Sequence, residues 1–132
     1  MFLQDEDWLK VAPLLLGNAY GGGGSAKDNR LFIEAILWRV NNQKRWSDLP
    51  IGYGNWNTCY VRFRRWNDSG IWKDLVIALA DWPELASKFQ KITAYGTLYD
   101  ARAVARLRRR ETRRKRDSRF FAEIDGSDNR NG

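Results

Sequence analysis

The chain has 132 residues, enough for one modest domain, and it carries a formal net charge of +7 and no histidine. The missing histidine excludes Ser-His-Asp and Cys-His catalysis, and the single cysteine, Cys59, excludes an internal disulfide and favours an intracellular chain. No apolar run is long enough to span a bilayer, and the acidic N-terminal segment is unlike a signal peptide. The excess of basic over acidic residues predicts a polyanionic partner rather than a membrane.

The chain divides into two regions of different composition. Residues 1–80 carry 10 basic and 8 acidic side chains, whereas residues 102–119 carry 10 basic and 2 acidic side chains. All seven tryptophans lie in the first 82 residues, where they can supply a core. The sequence therefore predicts a helical domain over residues 1–80 and a basic tail over residues 81–132.

The first predicted helix begins at the acidic residues 5–7, because carboxylates suit the unpaired N–H groups of a helix start. Pro13 limits or bends this helix, since proline lacks the N–H that an interior position needs. The next stretch, Gly17 to Ser25, contains five glycines and is predicted to be a flexible linker. A phosphate-binding loop is the weaker alternative, because no Gly-Lys-Ser/Thr follows and no strand precedes it.

A second helix is predicted after the linker, with Asp28 as its N-cap. Residues 31–40 are apolar nearly all round, which is typical of a central helix that is contacted from several sides. Arg30 and Glu34 stand one turn apart on its narrow polar side, and two asparagines end it.

Shorter elements follow the second helix. Ser47 is predicted to cap a short turn of helix that Pro50 stops. A turn is predicted over residues 51–54. The third predicted helix runs from Thr58 to Asn67, with Asn55 or Asn57 as its N-cap, and Ser69-Gly70 ends it. A fourth helix is predicted over residues 71–80.

The third helix presents two faces when its residues are placed 100° apart. Cys59, Phe63 and Trp66 share the inner face at positions i, i+4 and i+7. The other side carries amide, hydroxyl, small apolar and guanidinium groups, which read base edges in the major groove. The predicted DNA-binding residues are Asn57, Thr58, Tyr60, Val61, Arg62, Arg64 and Arg65. Of these, Tyr60 and Arg62 flank the reading face and are suited to contact phosphates.

This helix alone is equally compatible with a solvated amphipathic helix whose arginines confer solubility. Its context favours DNA, because a long helix, a short helix, a glycine turn and then this helix form a helix-turn-helix whose last helix is the reader. The predicted fold class is all-α, a small homeodomain-like helix-turn-helix bundle with a basic, partly helical or disordered C-terminal tail.

An ordered series of motifs also resembles a known family. The series comprises DNRLFIEAILW from Asp28, WSDLP from Trp46, GNWNTCYVRFRRW from Gly54 and GIW from Gly70, preceded by a Trp-apolar-PLL opening over residues 8–15. It is similar to the N-terminal domain of bacterial insertion-sequence transposases of the DDE type, the large family usually numbered five. The similarity covers about residues 5–80. At position 16, where the family usually carries proline, this chain has leucine.

The resemblance implies a helix-turn-helix that binds terminal inverted repeats, with Arg62, Arg64 and Arg65 as contacts from the helix Thr58 to Trp66. It also implies a following RNase-H-like catalytic domain in which three carboxylates hold two divalent metal ions. Residues 120–127 resemble the strand and Asp that open that domain, but we interpret them as a disordered tail, since one Asp cannot hold two metals. We expect no catalytic site, metal site or cofactor in this chain.

Residues 81–132 resemble no family. Asp100 is predicted to cap a basic helix, or a disordered basic arm that orders on a polyanion. A third interpretation is translation in a shifted reading frame that is entered between Ala80 and Tyr99. The residues expected to bind nucleic acid without sequence preference are Arg108, Arg109, Arg110, Arg113, Arg114, Lys115 and Arg116.

The sequence thus predicts the DNA-binding part of an insertion-element transposase, acting in DNA transposition in the bacterial cytoplasm, at the nucleoid. Double-stranded DNA at the element ends is the expected partner, and a full-length transposase or a second copy of the chain is a further candidate. A protein-interaction module that uses the tryptophans, and an RNA-binding protein that acts through its tail, stay open as alternatives. Transposase catalysis would require carboxylates from a frameshifted fusion product.

Overall fold

Helices form over most of the chain. A computed structural model describes residues 1–15 and 26–131, with side chains described for residues 1–15 and 28–119. The all-α prediction is confirmed, since no strand occurs in these ranges. The predicted linker, Gly17 to Ser25, lies outside the described residues. The helices are α1 (Asp5–Leu15), α2 (Ala26–Asn42), α3 (Trp56–Ser69), α4 (Ile71–Ala78) and α5 (Pro83–Asn131), with two 3-10 helices at Trp46–Asp48 and Ile51–Tyr53.

The chain forms two compact units, the first from Met1 to Gly96 and the second from Thr97. The first, which we term the aromatic unit, extends beyond the predicted boundary at residue 80. The reason lies in the first part of α5, where Leu85, Phe89 and Ile92 recur at helical spacing and are buried. Residues 97–131 of α5 are termed the basic helix segment.

The N-terminal segment is bound by a buried carboxylate. Glu34 of α2 is 3% exposed, and its side chain accepts hydrogen bonds from the backbone N–H groups of Phe2 and Leu3 at 2.8 and 2.7 Å. These two donors replace the water that a buried carboxylate loses. The polar side predicted for α2 is therefore not a solvent-facing stripe at Glu34.

Two basic residues add to this attachment. Arg30 of α2 donates to the Leu3 carbonyl at 3.1 Å and pairs with Asp5 at 2.8 Å. Lys88 of α5 donates to the Phe2 carbonyl at 2.6 Å. The N-terminal segment is thus joined to α2 and to the first part of α5 by hydrogen bonds.

The second helix is central, as predicted, because residues 32–37 are all buried. It begins at Ala26, so Asp28 lies in its first turn and is not the predicted N-cap. A carboxylate at this place still interacts favourably with the positive end of the helix dipole. α2 ends at Asn42, and Gln43 follows with a φ of 53°.

Residues 43–55 join α2 to α3, a connection longer than the three or four residues of a tight helix-turn-helix. The first 3-10 helix has Arg45 at its N-cap position and no side-chain cap bond, so Ser47 is not the predicted cap. Trp46 is buried, and its Nε1 donates to the hydroxyl of Tyr95 at 3.0 Å. The connection is therefore attached to α5 through its tryptophan.

The helix α4 follows α3 directly. Gly70 has a φ of 78°, the left-handed conformation that a glycine adopts most readily, and it ends α3 as predicted. Ile71, Trp72 and Leu75 of α4 are buried. The helix stops at Ala78, slightly before the predicted end at residue 80.

The last helix is continuous, so Asp100 lies within α5 and is not its predicted cap. Residues 120–127, which we expected in a disordered tail, have a helical backbone. Gly96 is buried because α5 passes close to α3, and a Cβ atom there would collide with the side chain of Asn67. Among the described residues, no helix is both long and apolar enough to cross a membrane.

Candidate nucleic-acid interface

The start of α3 is fixed by a side-chain cap. The Oδ1 atom of Asn55 accepts hydrogen bonds from the backbone N–H groups of Asn57 and Thr58, at 2.9 and 3.2 Å. These two N–H groups have no partner within the helix, so the cap satisfies them. Of the two N-cap candidates predicted from the sequence, Asn55 and Asn57, the structure identifies Asn55 as the cap.

The inner face of α3 packs into the aromatic core of the domain. Cys59, Phe63 and Trp66 are buried, as the 100° periodicity predicts. The Phe63 ring lies 5.2 Å from the ring of Tyr95 and 5.6 Å from that of Trp46, measured between centroids. Because these rings come from α5 and from the connection before α3, the helix is held by elements on both sides of it in sequence.

The outer face of α3 is solvent-exposed and polar. We define it by the five predicted DNA-binding residues that the structure leaves exposed, which are Asn57, Thr58, Val61, Arg64 and Arg65. Val61 is 37% exposed and lies between the polar residues of this face. The five side chains stand together on one side of a capped, core-packed helix, as the sequence predicts.

Tyr60 lies at one edge of the outer face and is half-buried. Its ring is 6.0 Å from the ring of Trp46, in an edge-on arrangement. The guanidinium of Arg64 lies over the Tyr60 ring at 5.9 Å from its centroid. Tyr60 therefore connects an exposed arginine of the outer face to a buried core tryptophan.

Arg62 is placed differently from the other predicted DNA contacts. It is half-buried, and its NH2 group donates to the Oδ1 atom of Asn29 in α2. Its guanidinium also lies over the rings of Phe32 and Trp66, at 4.4 and 5.3 Å from their centroids. The structure thus directs Arg62 to the α2–α3 contact rather than to the exposed surface that Arg64 and Arg65 occupy.

Burial changes the titration of two groups of α3, one on its inner face and one at the edge of that face. It raises the pKa of the Cys59 thiol, although the charge of Arg62 acts in the opposite direction. It lowers the pKa of Arg62, partly offset by Cys59 and Asp28. The thiol is therefore less nucleophilic than a free cysteine at neutral pH. Among the described side chains, no group of three or more His, Cys, Asp or Glu residues is placed to hold a metal ion.

The part of the basic helix segment whose side chains are described, residues 97–119, presents its charge on exposed positions. All seven of its predicted nucleic-acid contacts, from Arg108 to Arg116, are exposed. Consecutive arginines at 108–110 point to different sides of a helix with 100° per residue. The segment therefore offers positive charge all round and not a single reading face.

Sequence reasoning missed Asn29 and Phe32 as the partners of Arg62. The spacing placed Arg62 at the edge of the helix wheel, and an edge position does not reveal which neighbour covers it. It also missed Tyr95, whose signal was present in the helical recurrence of Phe89, Ile92 and Tyr95.

Comparisons with known proteins identify a family that the chain matches. Residues 3–76 match the model of a family described as "Putative transposase of IS4/5 family (DUF4096)". The chain is 32% identical over 78 residues to "Uncharacterized protein y4sN" of Sinorhizobium fredii, covering 59% of this chain and 62% of that protein. It is 33% identical over 79 residues to "Insertion element IS402 uncharacterized 16.2 kDa protein" of Burkholderia cepacia, covering 55% of this chain and 54% of that protein.

The matched region thus spans little more than half the length of these two curated relatives. No solved structure matches the chain. The matched region, residues 3–76, includes α1 to α3, most of α4 and the whole outer face of α3.

Proposed function

The chain belongs to the IS4/5 transposase family, and from that membership we propose that its aromatic unit binds double-stranded DNA at the ends of an insertion element through α3. The observation that carries the proposal is the outer face of α3, where Asn57, Thr58, Val61, Arg64 and Arg65 are exposed together. α2 and α3 are the helices of the proposed helix-turn-helix.

The chemistry of the outer face suits base recognition. Arg64 and Arg65 can each donate two hydrogen bonds to a guanine, Asn57 can pair with an adenine, and Val61 offers methyl groups to a thymine. An α-helix fits the width of the major groove. The core contacts of Phe63 and Trp66 hold the helix, so the reading groups start from a fixed position.

The basic helix segment supports a second, sequence-independent contribution to affinity. Ten basic side chains between residues 102 and 119 can replace counterions along a phosphate backbone. We propose that this segment strengthens binding to any DNA and that α3 supplies the sequence preference. The alternative of an RNA-binding tail predicts instead that the chain binds RNA better than duplex DNA through the basic tail, residues 81–132, alone.

We further propose that strand cleavage is carried out by another polypeptide or translation product. The family match covers residues 3–76, the region that the resemblance places before the catalytic domain. Incubating the full chain and its end duplex with Mg²⁺ or Mn²⁺ tests this proposal. Nicked strands would contradict it, and intact strands are expected.

The DNA-binding proposal is tested with the full chain and two labelled duplexes, one carrying the terminal inverted repeat that flanks the gene and one with the same bases shuffled. We expect tighter binding to the repeat. Arg64→Ala and Arg65→Ala should each lower this preference at one base position, by about 1–3 kcal/mol. A steeply salt-dependent affinity that is equal for both duplexes would show that only charge is recognised.

The protein-interaction alternative is separated by the same variants. A dimer or a complex built on the tryptophans would persist when Arg64 and Arg65 are both replaced. Sedimentation of the double variant, next to its binding to the repeat, measures both outcomes. Unchanged repeat binding in the double variant would remove α3 as the reading helix.

A further inference from the structure

Arg62 lies at the contact between two helices of the aromatic unit. Its guanidinium carbon is 4.4 Å from the ring centroid of Phe32 in α2 and 5.3 Å from that of Trp66 in α3. These two rings are themselves in edge-on contact, with centroids 4.9 Å apart. The cation therefore covers an aromatic pair that joins α2 to α3.

A buried acceptor completes this arrangement. Asn29 is 7% exposed, and its Oδ1 atom accepts a hydrogen bond from Arg62. Burial lowers the pKa of Arg62, and the nearby Asp28 carboxylate partly offsets that effect. A buried amide oxygen that lost its donor would be unsatisfied, so Arg62 and Asn29 depend on each other.

We infer that Arg62 is a positioning residue, which fixes α3 against α2 through Asn29, Phe32 and Trp66 and thereby sets the direction in which the outer face of α3 projects. This inference rests on the proposed DNA binding by α3. Arg64, two residues further along, lies about 200° round the helix from Arg62. A helix held on the Arg62 side therefore projects Arg64 away from α2.

The shape of the side chain separates positioning from direct DNA contact. A guanidinium is planar and covers aromatic rings, whereas a lysine ammonium is a point charge that binds phosphate well. The Arg62→Lys substitution keeps the positive charge and removes the planar guanidinium group. If Arg62 touched phosphate, Arg62→Lys would largely retain binding, but if it positions α3, Arg62→Lys should behave like Arg62→Met.

The first experiment measures coupling within the folded chain, without DNA. Arg62→Met and Asn29→Ala are made singly and together, and thermal unfolding is followed by tryptophan fluorescence. Each single variant should lower the Tm by about 4–8 °C, and the double variant should lose clearly less than the sum. Arg65→Met with Asn29→Ala is the matched control pair and should be additive. Additivity for the Arg62 pair would overturn the inference.

The second experiment measures DNA binding at a temperature where all variants are folded. Arg62→Lys and Asn29→Ala should lower the preference for the repeat over the shuffled duplex by about 5- to 150-fold. The slope of log affinity against log salt should stay unchanged, whereas one lost phosphate contact would lower it by about 0.9. Asn29 is a discriminating site because it is buried and cannot contact DNA itself.

The outcomes separate this inference from the proposed function. If the unmodified chain shows no preference for the repeat but Arg62 and Asn29 are coupled in unfolding, the proposed function fails while the anchoring of α3 stands. The inference is overturned if the unmodified chain prefers the repeat, Arg62→Lys keeps that preference, and Arg62→Met lowers the slope of log affinity against log salt by about 0.9. In that case Arg62 contacts a DNA phosphate. Arg64→Lys serves as the control from the outer face: where the unmodified chain prefers the repeat, this variant should reduce that preference whether or not Arg62 contacts DNA.

Discussion

The aromatic unit and the basic helix segment both carry arginines, but the two regions hold them in different ways. In the aromatic unit, Arg64 and Arg65 stand on a helix whose other side packs against Trp46 and Tyr95 through Phe63. In the basic helix segment, residues 108–116 are exposed on every side of the helix. A fixed arginine can select one base, whereas an arginine with no packed helix face behind it contributes charge to any polyanion.

Under the proposed function, this difference separates sequence specificity from overall DNA affinity within one chain. Residues 102–119, with 10 basic and 2 acidic side chains, sum to +8, which exceeds the net charge of +7 of the whole chain. The aromatic unit carries little net charge, so the DNA binding proposed for it would depend on the geometry of α3. Substitutions in the aromatic core should therefore reduce sequence preference, and substitutions in the basic helix segment should reduce affinity for all sequences.

The largest expected effect comes from the centre of the aromatic core. Phe63 is 0% exposed, so Phe63→Ala should remove about 3–5 kcal/mol of stability through lost burial and a cavity. Urea unfolding followed by tryptophan fluorescence measures the change. Repeat preference should disappear with the fold while salt-dependent binding to shuffled DNA persists. A loss below about 1 kcal/mol would mean that the core does not hold α3.

A smaller effect is expected from the buried carboxylate of α2. Glu34→Gln leaves one acceptor oxygen for the N–H groups of Phe2 and Leu3 and brings an NH2 group against the other donor. The loss should be about 1.5–3 kcal/mol, the value of hydrogen bonds to a charged group. Hydrogen exchange at residues 2 and 3 should accelerate. Glu6→Gln, at an exposed position in α1, is the matched control and should change stability by only a few tenths of a kcal/mol.

The cap of α3 should have a more modest role. Asn55→Ala removes the acceptor of the Asn57 and Thr58 N–H groups and should cost about 1 kcal/mol. Asn55→Asp keeps an acceptor and adds a negative charge at the helix start, so its stability should equal or exceed that of the unmodified chain. Chemical unfolding of both variants checks the order. Equal destabilisation by Ala and Asp would show that the cap bonds are not what matters at this position.

The smallest effect on the aromatic unit is expected from the basic helix segment. Replacing the arginines at 108–110 with glutamine should leave the unfolding of the aromatic unit unchanged. The salt dependence of DNA binding should fall by about 0.9 for each phosphate contact that is lost. Titrations at two or more salt concentrations measure the slope. A change in repeat preference with the slope intact would contradict the division of roles between the two regions.

Local patterns in the sequence predicted the features of the fold that depend on neighbouring residues. The inner face of α3 follows from the spacing of Cys59, Phe63 and Trp66, and the end of α3 follows from Gly70. Both depend on helix geometry and backbone conformation within a few residues. The exposed outer face was predictable for the same reason.

Contacts between distant parts of the chain were not predictable in this way. Glu34 reads as a surface residue from its neighbours, whereas the structure buries its carboxylate against the backbone N–H groups of residues 2 and 3, more than 30 positions away. Arg62 reads as one of several equivalent arginines until Asn29 and Phe32 are placed beside it. Local periodicity states which way a side chain points but not what it meets there.

The bond from Lys88 to the Phe2 carbonyl has a consequence for how the chain folds during synthesis. The two residues are 86 positions apart, and a ribosome adding about 5–20 residues per second needs about 4–17 s to make the intervening chain. Tyr95, the partner of Trp46, is made later still. The N-terminal segment therefore cannot form all its native hydrogen bonds until the start of α5 has been synthesised.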